Sequence, residues 1–344
     1  MTIYDEFLKF QHRVDQRANA LALQMIKELE ASRETIIGKL AALQDKYLRK
    51  EFSEESYARK KALLIHQRAE VQKVLVSVYD KVRDHIKEAA DDVFKATQTH
   101  TVDVMNEAFG LSISFYHLDE SAVQAWFETS TVEGLVLNEW LEKLEAGAAD
   151  RIIKVQRQAM IEGLSVGQTV KMLREKGFEG SYTGLSGLAR TSLMSAANQA
   201  RYQTLTENFS DNIDGWMHVS TLDSRTCLPC AASDGIVYGA YEKLPPLPMH
   251  WNCRCCYIPL IKAPKNSLLE RVFKKLDETG ERASEFGPVP SKMNYDSWLR
   301  SMLDSDPAFV RSVLGKGRYE LFREGKITLD AMVTDGRVKR LSEI

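Results

Sequence analysis

The chain has 344 residues, more than one ordinary compact domain holds, and its 44% hydrophobic and 27% charged residues exclude wholesale disorder and collagen-like repetition. Lys and Arg number 46 against 48 Asp and Glu, and the formal charge of -2 excludes a strong overall field drawing the protein to nucleic acid. No run approaches the ~18 apolar residues of a membrane span, and Met1–Glu6 carries acid where a secretion signal carries base, so a soluble chain made in the cytoplasm, with no membrane association, is expected.

Over residues 5–50 apolar side chains recur every three or four positions: Phe7, Phe10, Val14, Ala18, Leu21 and Met25, then Ile36, Leu40, Leu43 and Tyr47. Only a helix aligns them on one stripe. Gly38 is the only glycine before Gly110, and no proline precedes Pro229, so nothing there breaks a helix sharply. Residues 51–55 read as a turn, with Ser53 capping a second helix that carries Val71, Leu75, Val78, Val82, Ile86, Ala89 and Val93. Together they predict a long antiparallel hairpin over 1–110, a simple bundle rather than a free-standing coiled coil because its heptads are imperfect.

From about 120 to 210 shorter helices are expected, anchored by Trp126, Phe127, Leu135, Leu137, Trp140, Leu141 and Leu144. Gly163 interrupts the pattern, and a helix over Ser165–Lys176 stops at Gly177. The helix over 185–208 is rich in Ala and Ser, which lets a neighbour approach closely, and its Arg190 and Arg201 share a face three turns apart. They read as partners of buried acids in preference to contacts for another molecule.

After Gly215 the short runs 216–220, 236–238 and 257–261 are β-branched or aromatic and predict a small sheet, with a turn at Asp234-Gly235. Pro245-Pro246-Leu247-Pro248 is stiff enough to deliver a residue to a fixed point. Beyond Lys262 the pattern predicts a helix over 266–278 and a Gly/Pro linker through 287–290. A last helical module follows with Trp298, Leu299, Phe309, Val313, Leu314, Leu321 and Phe322, in which Asp306-Pro307 starts a helix and Gly315 stops it.

All five cysteines fall in one window, an odd and local set that suits a metal site better than a disulfide framework. Cys227-Leu228-Pro229-Cys230 is a C-x2-C knuckle, and His250-Trp251-Asn252-Cys253-Arg254-Cys255-Cys256 follows after a loop of ordinary zinc-site length. Cys227, Cys230, His250 and Cys253 form the natural four-ligand set, with Cys255 as the substitute for Cys253 because alternate residues of an extended strand point the same way. Cys256 points oppositely, as a packed or free thiol. Three thiolates and a neutral imidazole leave about one negative charge, which Arg225 and Arg254 are placed to offset. A redox C-x2-C belongs at a strand-to-helix junction of a βαβ unit, which is absent, so structural Zn2+ is expected. The fold class is therefore mainly α with a small zinc-stabilised β subdomain: the hairpin over 1–110, a helical middle domain over 111–262 with its knuckle at 215–262, and a linker with a short C-terminal helical module over 263–344.

No catalytic motif stands out: there is no phosphate loop, no nucleophile elbow and no H-E-x-x-H. Arg190-Thr191, Asn198, Arg201, Gly215-Trp216, Thr221-Leu222-Asp223, Arg225-Thr226-Cys227, Cys230, Gly235, Pro245-Pro246, His250 and Cys253-Arg254-Cys255 resemble the head morphogenesis (minor head protein) domain of tailed phages, like that of phage Mu, over about 150–262. Tyr295, Trp298-Leu299, Leu314-Gly315, Arg318, Leu321-Phe322 and Gly325 are similar to the C-terminal end of such proteins. The resemblance implies a non-enzymatic, low-copy virion component in the capsid interior near the portal, acting in head assembly, DNA packaging or DNA ejection. Its implied partners are the phage portal protein, sister copies and the major capsid protein, with packaged DNA bound at most weakly.

The competing reading is a zinc-dependent nucleic-acid-binding or processing protein. It needs a basic face, offered by Lys262, Lys265, Arg271, Lys274 and Lys275 and by Arg311, Lys316, Arg318, Arg337, Lys339 and Arg340. Glu270, Asp277, Glu278, Glu320 and Glu324 interrupt both groups, so a solvated face is expected.

Overall fold

The protein is described here by a computed structural model covering residues 3–48, 56–109, 120–262 and 280–344; the turn expected at 51–55 and the helix expected over 266–278 lie outside the described residues. Helices α1 (Ile3–Leu48) and α2 (Ser56–Phe109) have 46 and 54 residues, or about 69 and 81 Å at ~1.5 Å per residue. Gln24 meets His85 at 2.9 Å, Glu28 meets Lys81 at 3.0 Å and Lys39 meets Glu70 at 2.7 Å, so one number rises as the other falls. That is an antiparallel pair, as the apolar stripes predict.

Next come α3 (Glu120–Thr129), a small hairpin of β1 (Thr131–Val132) and β2 (Leu135–Val136), α4 (Leu137–Ile161), α5 (Val166–Lys176) and α6 (Ser181–Phe209). The turn at Glu133 and Gly134, both with positive φ, divides the aromatic-rich stretch. Ser165 caps α5 by accepting from the Gln168 N–H, Gln168 returns a bond to the Ser165 N–H, and Gly177 closes the helix. The small residues of α6, Ala189, Ser192, Ala196, Ala197 and Ala200, are all buried.

Two compact units interleave along the sequence: Gln16–Asp91 with Val123–Leu193, and Met1–Asp15 with Asp92–Ala122 and Met194–Ile344. Helices α1, α2 and α6 each contribute residues to both. The segments drawn from sequence, breaking at 110 and 262, follow the chain in series, whereas compaction gathers residues far apart in it.

In the unit containing 194–344, β3 (Ile213–Val219) is the centre of an antiparallel sheet flanked by β4 (Val237–Gly239) and β5 (Cys256–Ile261). These match the three short runs seen in sequence. A Cβ on Gly215 would lie 2.6 Å from the Tyr238 carbonyl oxygen, so only glycine lets the two strands approach there. Alternation, reset by a register shift between Ile213 and Gly215, sends Ile213, Trp216 and Tyr257 to one face, against Val102, Met105, Leu205 and Phe209, and Val219, Cys256 and Ile258 to the other, against Tyr4, Phe7 and Val104. Cys256 thus points away from its neighbour Cys255, as expected, into an apolar core. Burial raises its thiol pKa.

The Gly/Pro run read as a linker is instead strand β7 (Gly287–Pro290), paired with β6 (Glu281–Ser284). A two-stranded ribbon is all edge, so Pro288 and Pro290 forfeit little. Helices α8 (Tyr295–Ser305), α9 (Pro307–Leu314) and α10 (Lys316–Arg323) follow, with Asp306 capping α9 and Gly315 ending it at φ 74°. The short strands β8 (Val333–Thr334) and β9 (Arg337–Val338) close the chain. The core of this module, Tyr295, Trp298, Leu299, Val310, Leu314 and Phe322, is continuous with Leu222 and Ala231 from the cysteine-bearing region.

Arg201 departs from expectation. It is 1% exposed, yet among the described residues it takes no acid: its guanidinium donates to Gln11 at 3.1 Å and lies 5.2 Å over the Phe7 ring. Arg190 donates to Asn19 at 2.8 Å.

Candidate metal centre

Cys227 is the N-cap of α7 (Leu228–Ser233), and Cys230 lies one turn on, so both thiols emerge on the same side. The expected knuckle is therefore the start of a short helix, with Pro229 in its first turn, where a missing N–H costs nothing. The second donor segment is held by the proline run: Tyr257 donates to the Pro245 carbonyl at 2.9 Å, and Leu247 and Met249 pack over the sulfurs. His250 and Cys253 arrive beside α7.

Cys227, Cys230 and His250 form one set of donor atoms lying within 4.8 Å of one another, and Cys230, Cys253 and Cys255 a second; Cys230 belongs to both. His250 Nε2 is 3.1 Å from Cys227 Sγ and 3.0 Å from Cys230 Sγ, and Cys230 Sγ is 3.9 Å from Cys253 Sγ. Zn–S bonds of ~2.3 Å and Zn–N of ~2.0 Å in a tetrahedron set S···S near 3.8 Å and S···N near 3.5 Å, so these three contacts lie within about half an ångström of ligand spacing, while Cys253 must draw closer to the Cys227 and His250 pair for all four to share one ion. His250 Nδ1 donates to the Trp251 carbonyl at 2.7 Å, which turns the lone pair of Nε2 toward the thiols. That is the second-shell arrangement of a metal-ligating imidazole. All five expected donors are brought together, and they can hold a metal ion.

Protons are contested within the set. Hydrogen bonding from Cys230 pulls Cys227 down to about 5 against its burial, with His250 assisting, while the bond to Cys227 lifts His250 to about 9. Cys253 is lowered, first by its bond to Cys230, and Cys230 itself is raised by its bonds to Cys227, Cys253 and Cys255. A cation bound among them replaces the protons for which these groups compete.

The surrounding contacts fix the donors. Ser220 Oγ donates to the Cys230 carbonyl at 2.6 Å and lies 3.4 Å from Cys255 Sγ, and Asn198 donates to the Cys255 carbonyl at 3.0 Å. Arg254 and Arg225, expected to offset thiolate charge, are both drawn to Asp223. Arg254 reaches its two oxygens at 2.6 and 2.7 Å, and Arg225 approaches at 3.3 Å. Burial pushes the Asp223 carboxyl up, but the Arg254 hydrogen bonds and charge outweigh it and hold the group below its ordinary value.

Sequence reasoning missed two residues. Asp234, read only as part of a turn, accepts from the Ser220 N–H at 2.6 Å, the Tyr295 N–H at 2.7 Å and Arg282 at 2.9 Å. Arg282 lies in β6 and is 4% exposed; it also donates to the Met293 carbonyl at 2.9 Å. Nothing local in the sequence marks a pair separated by 48 residues.

Residues 150–258 match the family model described as Phage Mu protein F like protein, roughly a third of the chain. No curated protein and no solved structure matches it. The matched segment contains Asn198, Asp223, Arg254 and every donor of the metal centre.

Proposed function

We propose that this chain, assigned by residues 150–258 to the phage Mu F like, head morphogenesis family, is a structural component of a tailed-phage head that docks on the portal protein inside the capsid and acts in assembly, packaging or ejection of DNA. The observation that carries the reading is the family match itself, which spans the cysteine-bearing region and the helix behind it. Two features support a holding role over a catalytic one: five candidate donors, more than the four a tetrahedral ion takes, and helices of 46 and 54 residues.

The ion is Zn2+, held by Cys227, Cys230, His250 and Cys253. Cys255 stays outside the set, its sulfur placed against the Ser220 hydroxyl. When bound, the ion cross-links α7 to the segment after the proline run. Part of the basic face demanded by the nucleic-acid reading is engaged within the chain: Arg337 pairs with Glu343 at 2.8 Å, Arg318 donates to the Lys339 carbonyl, and Lys339 donates to the Ala331 carbonyl. Lys265, Arg271, Lys274 and Lys275 lie outside the described residues.

Co-expression with the portal of the same phage, followed by co-purification and mass spectrometry of mature virions, tests the function. The protein should travel with the portal and be present in virions at low copy. Absence from both overturns the reading, and tight duplex binding with a steep salt slope would favour the nucleic-acid alternative.

A further inference from the structure

We infer that Asp223 and Arg254 are positioning residues for the metal centre: their ion pair latches the two donor segments together, so that the thiols are presented to the ion as an assembled set. The inference rests on the metal reading above and adds to it the residues that set affinity without touching the ion.

The four donors lie on two segments, 227–230 and 250–253, separated by a loop. Without a fastening, closure of that loop and orientation of four side chains would be charged against metal binding. Arg254 sits between Cys253 and Cys255, and in an extended segment its side chain points away from theirs. Tying Arg254 down on the far side therefore aims Cys253 and Cys255 toward α7. The tie is specific, since the planar guanidinium meets both Asp223 oxygens at 2.6 and 2.7 Å, and the two side chains are only 9% and 10% exposed.

Asp223 serves the other segment as well. Its Oδ1 accepts from the Arg225 N–H at 3.1 Å and lies 3.1 Å from the Thr226 hydroxyl, which is 2.6 Å from the Thr221 carbonyl oxygen. One carboxylate thus shapes the turn that ends at Cys227 and also grips the residue between Cys253 and Cys255. Neither Asp223 nor Arg254 belongs to a donor set.

The test compares Asp223→Asn, Arg254→Lys and the double variant with the wild-type chain, measuring Zn2+ affinity by competition with a chromophoric chelator. Tyr295→Phe is the structural control, because it removes the hydroxyl bond to the Asp223 carbonyl and leaves the carboxylate in place. Loss of the latch should weaken Zn2+ by about 10- to 100-fold, the usual scale for outer-shell partners, with the double variant no weaker than the worse single one. Tyr295→Phe should stay within about twofold, and the Co2+-saturated forms should keep the wild-type thiolate charge-transfer intensity, because the ligands are unchanged. Arg254→Lys keeps charge and stem and remains measurable if Asp223→Asn does not fold. Unchanged affinity in the latch variants, or an equal loss in Tyr295→Phe, overturns the inference alone. A wild-type chain that takes up no metal overturns the metal reading with it.

Discussion

Arg254 and Asp223, 31 residues apart, meet through two short parallel hydrogen bonds, and this pair explains why the D-x-R-T-C and C-R-C patterns occur in one chain. The arginine within the cysteine pattern answers the aspartate of the other. The Arg254 charge is met first by this carboxylate, and Cys255 influences it less.

The same pair predicts an acid dependence. The folded-state pKa of Asp223 is depressed, so as pH falls the unfolded chain takes up the proton first. Its contribution is complete above its unfolded value near 4 and is lost as pH falls through the folded value. Asp223→Asn should cost about 3 kcal/mol at neutral pH, the scale for orphaning one member of a buried pair, and the gap should narrow as pH falls below the unfolded value. Urea unfolding of metal-free protein across that range measures it; a gap independent of pH would count against the pair.

His100 titrates in a different window. Burial, with the nearby charges of Arg201 and Arg13, lowers it to about 4, and its ring stacks on Phe10 at 4.3 Å. The unfolded imidazole protonates near 6.5 while the folded one resists, so stability present above 6.5 is lost as pH falls toward 4. His100→Phe keeps the stacking and removes this loss. Melting temperatures of the two proteins should converge at pH 7 and separate near pH 5, with the variant higher.

Asp234→Ala should destabilise by about 3–5 kcal/mol, because it leaves Arg282 buried without its counter-charge. Hydrogen exchange should then rise first in β6, β7 and the start of α8, which Asp234 joins through Arg282 and the Tyr295 N–H. Exchange unchanged in that hairpin would show that the pair is not its anchor.

For the metal, the sequence suggests that a small sheet with little core unfolds over 215–262 when the ion leaves. The structure gives that sheet an apolar core on each face, so the expected outcome changes. Purified protein should contain one zinc. Cys227→Ser and Cys253→Ser should lose it, and Cys256→Ser should retain it. Chelation should expose the amides around 227–234 and 249–255 while β3 stays protected; loss of protection in β3 would restore the earlier expectation.

Much of this molecule was legible because its signals are local. The α1 and α2 stripes, the Gly177 stop, the Asp306-Pro307 start and the five clustered donors each need only a few neighbouring residues to be read. Long-range partners were not legible. Arg282 sits just ahead of the Gly/Pro run that reads as a linker, and its pairing with Asp234, 48 residues away, helps to make that hairpin structural. Arg201 looked like half of an ion pair because charge is rarely buried alone, but an amide and an aromatic face take the place of the acid.

The interleaving of the two units fixes an order of events on the ribosome. Tyr4 and Phe7 leave the exit tunnel well before their core partners Val219, Cys256 and Ile258, which are more than two hundred residues behind. At about 5–20 residues per second, the first turns of α1 wait on the order of ten to forty seconds with aromatic side chains uncovered. During translation these uncovered first turns of α1 are a segment that a holding chaperone would meet, and slowing synthesis ahead of β3 should lengthen that encounter.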